Sequence, residues 1–195
     1  MLSLWLLLSL LWMIYLILHS VLASSQVKEW FAYHLPQIKP YYRLTYNSIA
    51  FVGLLSLVYF YVTWPANPVI SERPFLGWGF IGIAIVIGIT ALQQYDLGEF
   101  AGTRQVREAQ QESQTALHTV GLNKVVRHPL YFAILIGIWG NFLRGGDDLS
   151  LATAIVMSLY VYVGAKWEEK KLKMAFGEAY VQYQKRTSML IPWIF

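Results

Sequence analysis

The sequence contains no cysteine. That excludes disulfides, thiolate metal sites, iron–sulfur clusters and a cysteine nucleophile. Charge is also scarce: 13% of the 195 residues are charged, against 56% hydrophobic. A soluble domain of this length cannot bury so much apolar surface, whereas a bilayer can accommodate it. The first apolar run, Leu2 to Leu22, lacks the basic leader of a secretory signal. It reads as a retained helix, although Val21-Leu22-Ala23 imitates a cleavage site. There is no internal repeat and no low-complexity linker. The net charge of +4 comes from basic residues concentrated in loops. Membrane orientation explains that pattern better than nucleic-acid binding does.

What is present is a succession of apolar runs with polar punctuation. After Leu2 to Leu22, the segment Ser24 to Arg43 reads as a polar loop in which Pro36 and Pro40 prevent a long helix. Leu44 to Trp64 forms a second run, ended by Pro65, Asn67 and Pro68. Phe75 to Gln93 forms a third, whose Gly77, Gly79, Gly82 and Gly88 would allow a neighbouring helix to approach closely. Tyr95 to Val126 is the longest polar segment, with a helix expected over Arg104 to Leu117 and Gly121 as a stop. Pro129 suits the first turn of a fourth, short span, Leu130 to Leu143. Gly145-Gly146-Asp147-Asp148 then turns the chain into a fifth run, Leu149 to Val163. Its helical pattern continues past Glu169 to about Phe176. Gly177, a further short helix and Pro192 follow.

Basic residues test this topology. Lys28, Lys39, Arg43, Arg104, Arg107, Lys124, Arg127, Lys166, Lys170, Lys171, Lys173, Lys185 and Arg186 fall on one side of a five-span arrangement. Only Arg73 and Arg144 fall on the other, so thirteen of the 15 share a face. The positive-inside rule makes that face cytoplasmic. The expected fold is therefore all-α and polytopic: five transmembrane helices, an outside N-terminus and a cytoplasmic C-terminal helical extension. Residues 1–195 form a single membrane domain, with N-terminal spans 2–22, 44–64 and 75–93 and a catalytic hairpin and tail over 118–195. A bacterial cytoplasmic membrane is the expected location.

Two short stretches stand out against this background. Arg127-His128-Pro129-Leu130-Tyr131 lies where the polar loop meets the fourth run. Trp167-Glu168-Glu169 lies where the fifth gives way to Lys170, Lys171 and Lys173. If those runs form a hairpin, two cations and two carboxylates converge at one membrane face, and ionisable groups there suggest chemistry. Each stretch alone has a plainer reading. Arg127 snorkels, Pro129 starts a helix and Tyr131 joins an aromatic belt; Glu168-Glu169 with its lysines forms an ordinary solvated helix.

Taken together with Gly121, Phe176-Gly177, Tyr180, Tyr183 and Leu190-Ile191-Pro192, these stretches resemble the isoprenylcysteine carboxyl methyltransferase superfamily. That superfamily also includes the phospholipid N-methyltransferases. Within it the chain is most similar to the methanethiol S-methyltransferase branch. The stretches His19-Ser20-Val21-Leu22-Ala23, Tyr42-Arg43-Leu44-Thr45-Tyr46, Glu99-Phe100-Ala101-Gly102-Thr103-Arg104-Gln105 and Tyr162-Val163-Gly164-Ala165-Lys166-Trp167-Glu168-Glu169 carry that closer likeness. The resemblance implies a membrane enzyme that uses S-adenosylmethionine, held between the last two spans and the tail. It implies Arg127, His128 and Glu169 as catalytic residues. It also implies His118, Gly121, His128, Pro129, Tyr131, Glu168, Glu169 and Tyr180 around the cofactor, with no metal. Three positions depart from the superfamily pattern: Asn123 replaces a Tyr, Ala133 a Gly, and Gly164 the Arg found in prenylcysteine carboxyl methyltransferases.

The residue chemistry is compatible with a transferase. Glu168 or Glu169 can pair with the cofactor's ammonium, and Arg127 or His128 can meet its carboxylate. Tyr131, Trp139, Trp167 and Tyr180 are candidates to pack on adenine or face the sulfonium. A thiol acceptor must lose a proton, which His128 could take. Without a cation at Gly164, a carboxylate acceptor is poorly served, so a small or lipophilic thiol is the expected acceptor, alongside the lipid bilayer as a partner. An isoprenylcysteine-type carboxyl methyltransferase is the alternative. A haem-binding protein with His19 as axial ligand is another, because the His19 region also resembles nitric-oxide-reduction and carotene-isomerase membrane proteins. A non-catalytic membrane scaffold is a third. The plainer reading of His19 is an imidazole bonded to a loop carbonyl. His34 reads as a surface residue, and His118 as either cofactor-flanking or solvated.

Overall fold

The computed structural model describes residues 3–94, 97–103, 106 and 117–194, and among these every regular element is helical. In chain order the α-helices are α1 (Leu4–Ala23), α2 (Ser25–His34), α3 (Tyr42–Thr63), α4 (Pro74–Leu92) and α5 (Leu97–Ala101). They continue with α6 (Pro129–Gly145), α7 (Asp148–Phe176) and α8 (Glu178–Gln184). Short 3₁₀ turns at Lys39–Tyr41 and Gly121–Lys124 precede α3 and α6. The segment in which a helix is expected over Arg104 to Leu117 lies almost wholly outside the described residues.

Four stretches are long and apolar enough to cross a membrane: Leu4–Ala23, Lys39–Thr63, Pro74–Leu92 and Asp148–Phe176. Ile17, Phe51, Val52 and Val86, on three of these helices, are each more than 60% exposed. Lipid tolerates such surfaces and water does not. The expected fourth run forms α6, which is shorter at 17 residues because Pro129 begins it and Gly146 ends it in the left-handed region.

The chain divides into two compact units. In the first, α1 and α3 pack through small-to-aromatic contacts, with Tyr15 Oη donating to the Ala50 carbonyl at 3.1 Å and Tyr42 Oη to that of Leu22 at 2.6 Å. One sequence expectation fails here. Ser24 to Arg43 is not simply a loop, because Ser25–His34 is helical. Ser24 caps that helix by accepting from the Val27 amide, and Phe31 packs against Tyr42 with ring centroids 4.9 Å apart. The prolines act only after it has ended. His19 also departs from expectation: among the described residues its buried Nδ1 has no hydrogen-bond partner, and its ring stacks on Tyr15.

In the second unit, α4 runs antiparallel to α6, and small residues set the distance. A Cβ on Gly77 would come within 2.6 Å of the Gly140 carbonyl, and one on Gly140 within 2.8 Å of Phe80 Cβ. Such backbone contact is what small residues permit between membrane helices. Only part of the expected glycine face takes part. Gly79 and Gly82 look onto open space, because the helical period carries the packed stripe through Gly77, Ala84 and Ala91 instead.

The turn between α6 and α7 is anchored to the segment before α4. Val69 and Ile70 amides donate to the Gly146 carbonyl at 2.7 and 3.0 Å. Asn67 donates through its amide and Nδ2 to the Asp148 carboxylate, each at 2.9 Å. Asp147 caps α7 by accepting from the Ser150 amide at 2.8 Å. With that end fixed, the opposite ends of α6 and α7 come together, and there the charged residues meet.

Candidate active site

His128 is the N-cap of α6, and Pro129 occupies its first turn, where the missing N–H costs nothing. The residues just before the helix run beside the tail that follows α8. The Arg127 amide donates to the Ser188 carbonyl at 2.9 Å, and the His128 amide to that of Met189 at 3.2 Å. Val126 and Ser188 form a parallel bridge. The tail therefore closes over the start of α6 through main-chain bonds. Below it lies an apolar floor of Val161, Ala165, Met189 and Leu190, flanked by Tyr131, Ile134 and Leu135.

Within this enclosure Arg127 reaches α7. Its Nε lies 2.5 Å from Glu169 Oε1, and both side chains are more than nine-tenths buried. Its Nη1 donates to the Gln184 carbonyl at 3.1 Å and also to that of Thr187. The second Glu169 oxygen accepts from Gln184 Nε2 at 2.8 Å. Arg127 and Glu169 thus tie α7, α8 and the tail into one unit. Asn123 and Tyr183 complete the frame: Asn123 Nδ2 donates to the Arg127 carbonyl at 3.2 Å, and Tyr183 Oη donates to the Asn123 carbonyl at 2.6 Å.

Glu168 stands apart from this clamp. Its side chain is 44% exposed, and His128 Nδ1 lies 3.6 Å from its Oε2. His128 Nε2 is 3.7 Å from Glu169 Oε1, outside hydrogen-bond reach, and is buried without a partner among the described residues. The His128 ring stacks on Tyr131 with planes 15° apart, which fixes its orientation. Tyr180 is almost fully buried beside these groups, and its hydroxyl also has no hydrogen-bond partner among the described residues. Burial, reinforced by the Glu169 charge, pushes its phenol well above the usual tyrosine range. Tyr183 is raised for the same first reason, burial.

The structure therefore brings together Arg127, His128, Pro129, Tyr131, Glu168, Glu169 and Tyr180. Gly121 opens the 3₁₀ turn leading to them with a φ of 61°. His118 is exposed on the approach to that turn. Trp139 is directed instead at α7, donating to Ser158 Oγ at 3.1 Å. Trp167 is 64% exposed on the outer side of α7. Gln184 and the Thr187 carbonyl were not anticipated as site members. Gln184 carries a signal, one helical turn after Tyr180, but a main-chain carbonyl carries none. A Cβ on Gly164, one turn before Glu168, would meet nothing within 4 Å, so packing does not impose the glycine. Lys166 does not fill its place, since its Nζ lies over the Tyr162 ring at 5.6 Å.

The phospholipid methyltransferase family matches residues 73–179. Methanethiol S-methyltransferase 1 of Bradyrhizobium diazoefficiens is 31% identical over 184 residues, covering 90% of this chain and 62% of that protein. The chain therefore spans somewhat under two thirds of that relative's length. Methanethiol S-methyltransferase of Crocosphaera subtropica is 30% identical over 190 residues, covering 93% of this chain and 72% of the relative. Protein-S-isoprenylcysteine O-methyltransferase B of Arabidopsis thaliana is 31% identical over 84 residues, 43% of each chain. No solved structure matches.

Proposed function

The chain belongs to the phospholipid methyltransferase family, and on that premise we propose that it is an integral-membrane methyltransferase. Its methyl donor is S-adenosylmethionine and its acceptor a small or lipophilic thiol, which becomes a thioether. The observation that carries this reading is the convergence of Arg127 and His128 with Glu168 and Glu169 in a largely buried polar site at the end of an apolar helical hairpin. Charged groups held at such a place mark a ligand site.

The residues present suit that donor. When bound, S-adenosylmethionine supplies an activated methyl group on a sulfonium and offers an ammonium and a carboxylate as handles. Glu168 offers a carboxylate outside the clamp, and the buried, unpartnered Tyr180 Oη and His128 Nε2 offer polar contacts. Arg127 and Glu169 position the tail over the site and so exclude water from it. His128, oriented by Tyr131, holds the proton that the thiol gives up at Nε2. Gly164 supports the acceptor class. A carboxylate brought in beside Gly164 would need a cation to offset its desolvation; Arg127 is already paired with Glu169, and Lys166, two residues from Gly164, is turned onto Tyr162.

We read α6 as a fifth crossing, because its 17 apolar-rich residues lie at the lower end of spanning length. The thirteen-to-two partition of basic residues then places the site and the C-terminus on the cytoplasmic side and the N-terminus outside. Reporter fusions after Gly146 and after residue 195 should report opposite sides, and the same side for both would refute this topology. The activity test supplies labelled S-adenosylmethionine with either a small thiol or a prenylcysteine. Base-stable thioether from the thiol is expected. Base-labile ester from the prenylcysteine alone would favour carboxyl methylation instead.

A further inference from the structure

The tail that closes over the start of α6 runs on into a strained turn. The Ile194 amide donates to the Ile191 carbonyl at 3.1 Å, closing a β-turn with Pro192 and Trp193 at its centre. Trp193 has a φ of 60°, the sole positive value at a non-glycine residue among the described residues. Proline followed by a positive φ is the type II pattern, which reserves its second central position for glycine or asparagine. A bulky side chain there costs energy and persists where something compensates for it. Packing within the chain does not, because Trp193 is 88% exposed. Ile191 and Ile194 are 43% and 61% exposed, so the turn offers three large apolar side chains in four residues.

What precedes the turn fixes its depth. Met189 and Leu190 pack with Val161 and Ala165 of α7, and Ile134 and Leu135 of α6 pack against the same cluster. Leu135 lies about 9 Å beyond Pro129 along the helix axis. The tail therefore dips below the polar end of the hairpin, to a level at which both helices are already apolar. The four residues that follow Leu190 cannot carry the turn more than about 14 Å away. At that level a tryptophan lies at the boundary between headgroups and acyl chains, where its ring is favoured. Lys185 and Arg186 are exposed just before the tail, and Lys170 and Lys171 near the end of α7. Such basic residues beside an apolar wedge match an anionic leaflet. We propose that the turn at 191–194 is a membrane anchor. Trp193 inserts at the headgroup boundary of an anionic leaflet and holds, from the lipid side, the strap that Ser188 and Met189 lay across the start of α6. The lipid contact offsets the strained backbone, and closure of the site comes to depend on the bilayer. This inference rests on α6 and α7 spanning the membrane.

Because the chain has no cysteine, single cysteines label uniquely. Ile194→Cys, Val163→Cys on α7 and Gln182→Cys on α8 each receive an environment-sensitive fluorophore, in the full chain. Nanodiscs of phosphatidylcholine and phosphatidylglycerol supply the bilayer. Quenching by lipids carrying a nitroxide high or low on the acyl chain is compared with quenching by aqueous iodide. The label at 194 should be quenched most by the high nitroxide and shielded from iodide, and the label at 182 should be reached by iodide. Iodide access at 194 with shielding at 163 would overturn the anchor and leave the spanning reading standing. Iodide access at both would refute the spanning reading itself. A label at 194 shielded from iodide and from both nitroxides, in particles holding two chains, would assign the turn to a second copy and overturn the lipid anchor. A second variant reads the strap. Trp193→Gly relieves the positive φ, so it should melt in detergent at the wild-type temperature or above it. In nanodiscs trypsin should cut it several-fold faster than wild type at Lys185 and Arg186, and wild-type protection should grow with phosphatidylglycerol. Equal cleavage of the two in nanodiscs would overturn the proposal, as would a lowered melting temperature in detergent, which would make Trp193 a packing residue.

Discussion

Arg127 Nε and Glu169 Oε1 stand 2.5 Å apart across 42 residues of sequence, each side chain more than nine-tenths buried. The same guanidinium also holds the carbonyls of Gln184 and Thr187. One buried ion pair thus couples the start of α6, the polar end of α7 and the tail.

Removing one partner of that pair should cost far more than an exposed ion pair would. Glu169→Ala leaves the Arg127 charge uncompensated, for which roughly 3–5 kcal/mol is expected. Thermal unfolding in detergent should fall sharply, and trypsin should cut faster at Lys185 and Arg186 as the tail loosens. A melting temperature within a degree of wild type would show that the pair contributes nothing.

The two adjacent glutamates should separate by readout. Glu168→Gln should melt like the wild type, because the Glu168 side chain is half-exposed and outside the clamp. It should nevertheless weaken S-adenosylhomocysteine about tenfold, the loss typical of one charge-assisted bond. Glu169→Gln should lower stability first and affinity through it. Melting curves and titrations of both variants check this, and identical behaviour of the two would contradict the division.

Gly164 should tolerate a side chain, since a Cβ there meets nothing within 4 Å. Gly164→Arg is expected to fold normally and to keep its affinity for S-adenosylhomocysteine. Its guanidinium would supply the cation that a carboxylate acceptor needs. Methylation of small thiols should drop, and binding of a prenylcysteine carboxylate should rise. Competition between the two acceptors measures the change.

Alkaline stability follows from Tyr180. Burial first, and then the Glu169 charge, raise its phenol above the ordinary value of 10.0. Below that ordinary value the phenol is neutral in folded and unfolded chains, and its contribution is fully present. Above it only the unfolded chain ionises, so stability is lost as pH climbs toward the folded-state value. Melting temperature followed from pH 9 upward should decline, and the Tyr180→Phe variant should decline less. Equal slopes would mean that the phenol ionises freely.

Much of the architecture was legible in the chain. The apolar runs predict α1, α3, α4, α6 and α7 within a few residues, because a bilayer requires about 20 consecutive apolar residues and leaves little choice of structure. Pro129 and Gly146 mark the limits of α6, since each acts on its own backbone. Helix α2 was missed: its stability comes from the Ser24 cap and the packing of Phe31 on Tyr42, and prolines further on obscured both. Gly79 and Gly82 looked equivalent to Gly77, yet only the turn-by-turn rotation of α4 decides which of them meets α6.

The sequence by itself determined that Arg127, His128, Glu168 and Glu169 lie at the same end of a hairpin, because two helices joined by a tight turn must run antiparallel. Tertiary structure alone decided how they divide their work. Adjacent residues on a helix point about 100° apart, so Glu169 turns inward to Arg127 and Gln184 while Glu168 stays half in solvent beside His128. Which of two neighbouring carboxylates is buried in an ion pair, and which stays half in solvent, depends on what each helix face meets. That is set by packing between segments distant in the chain.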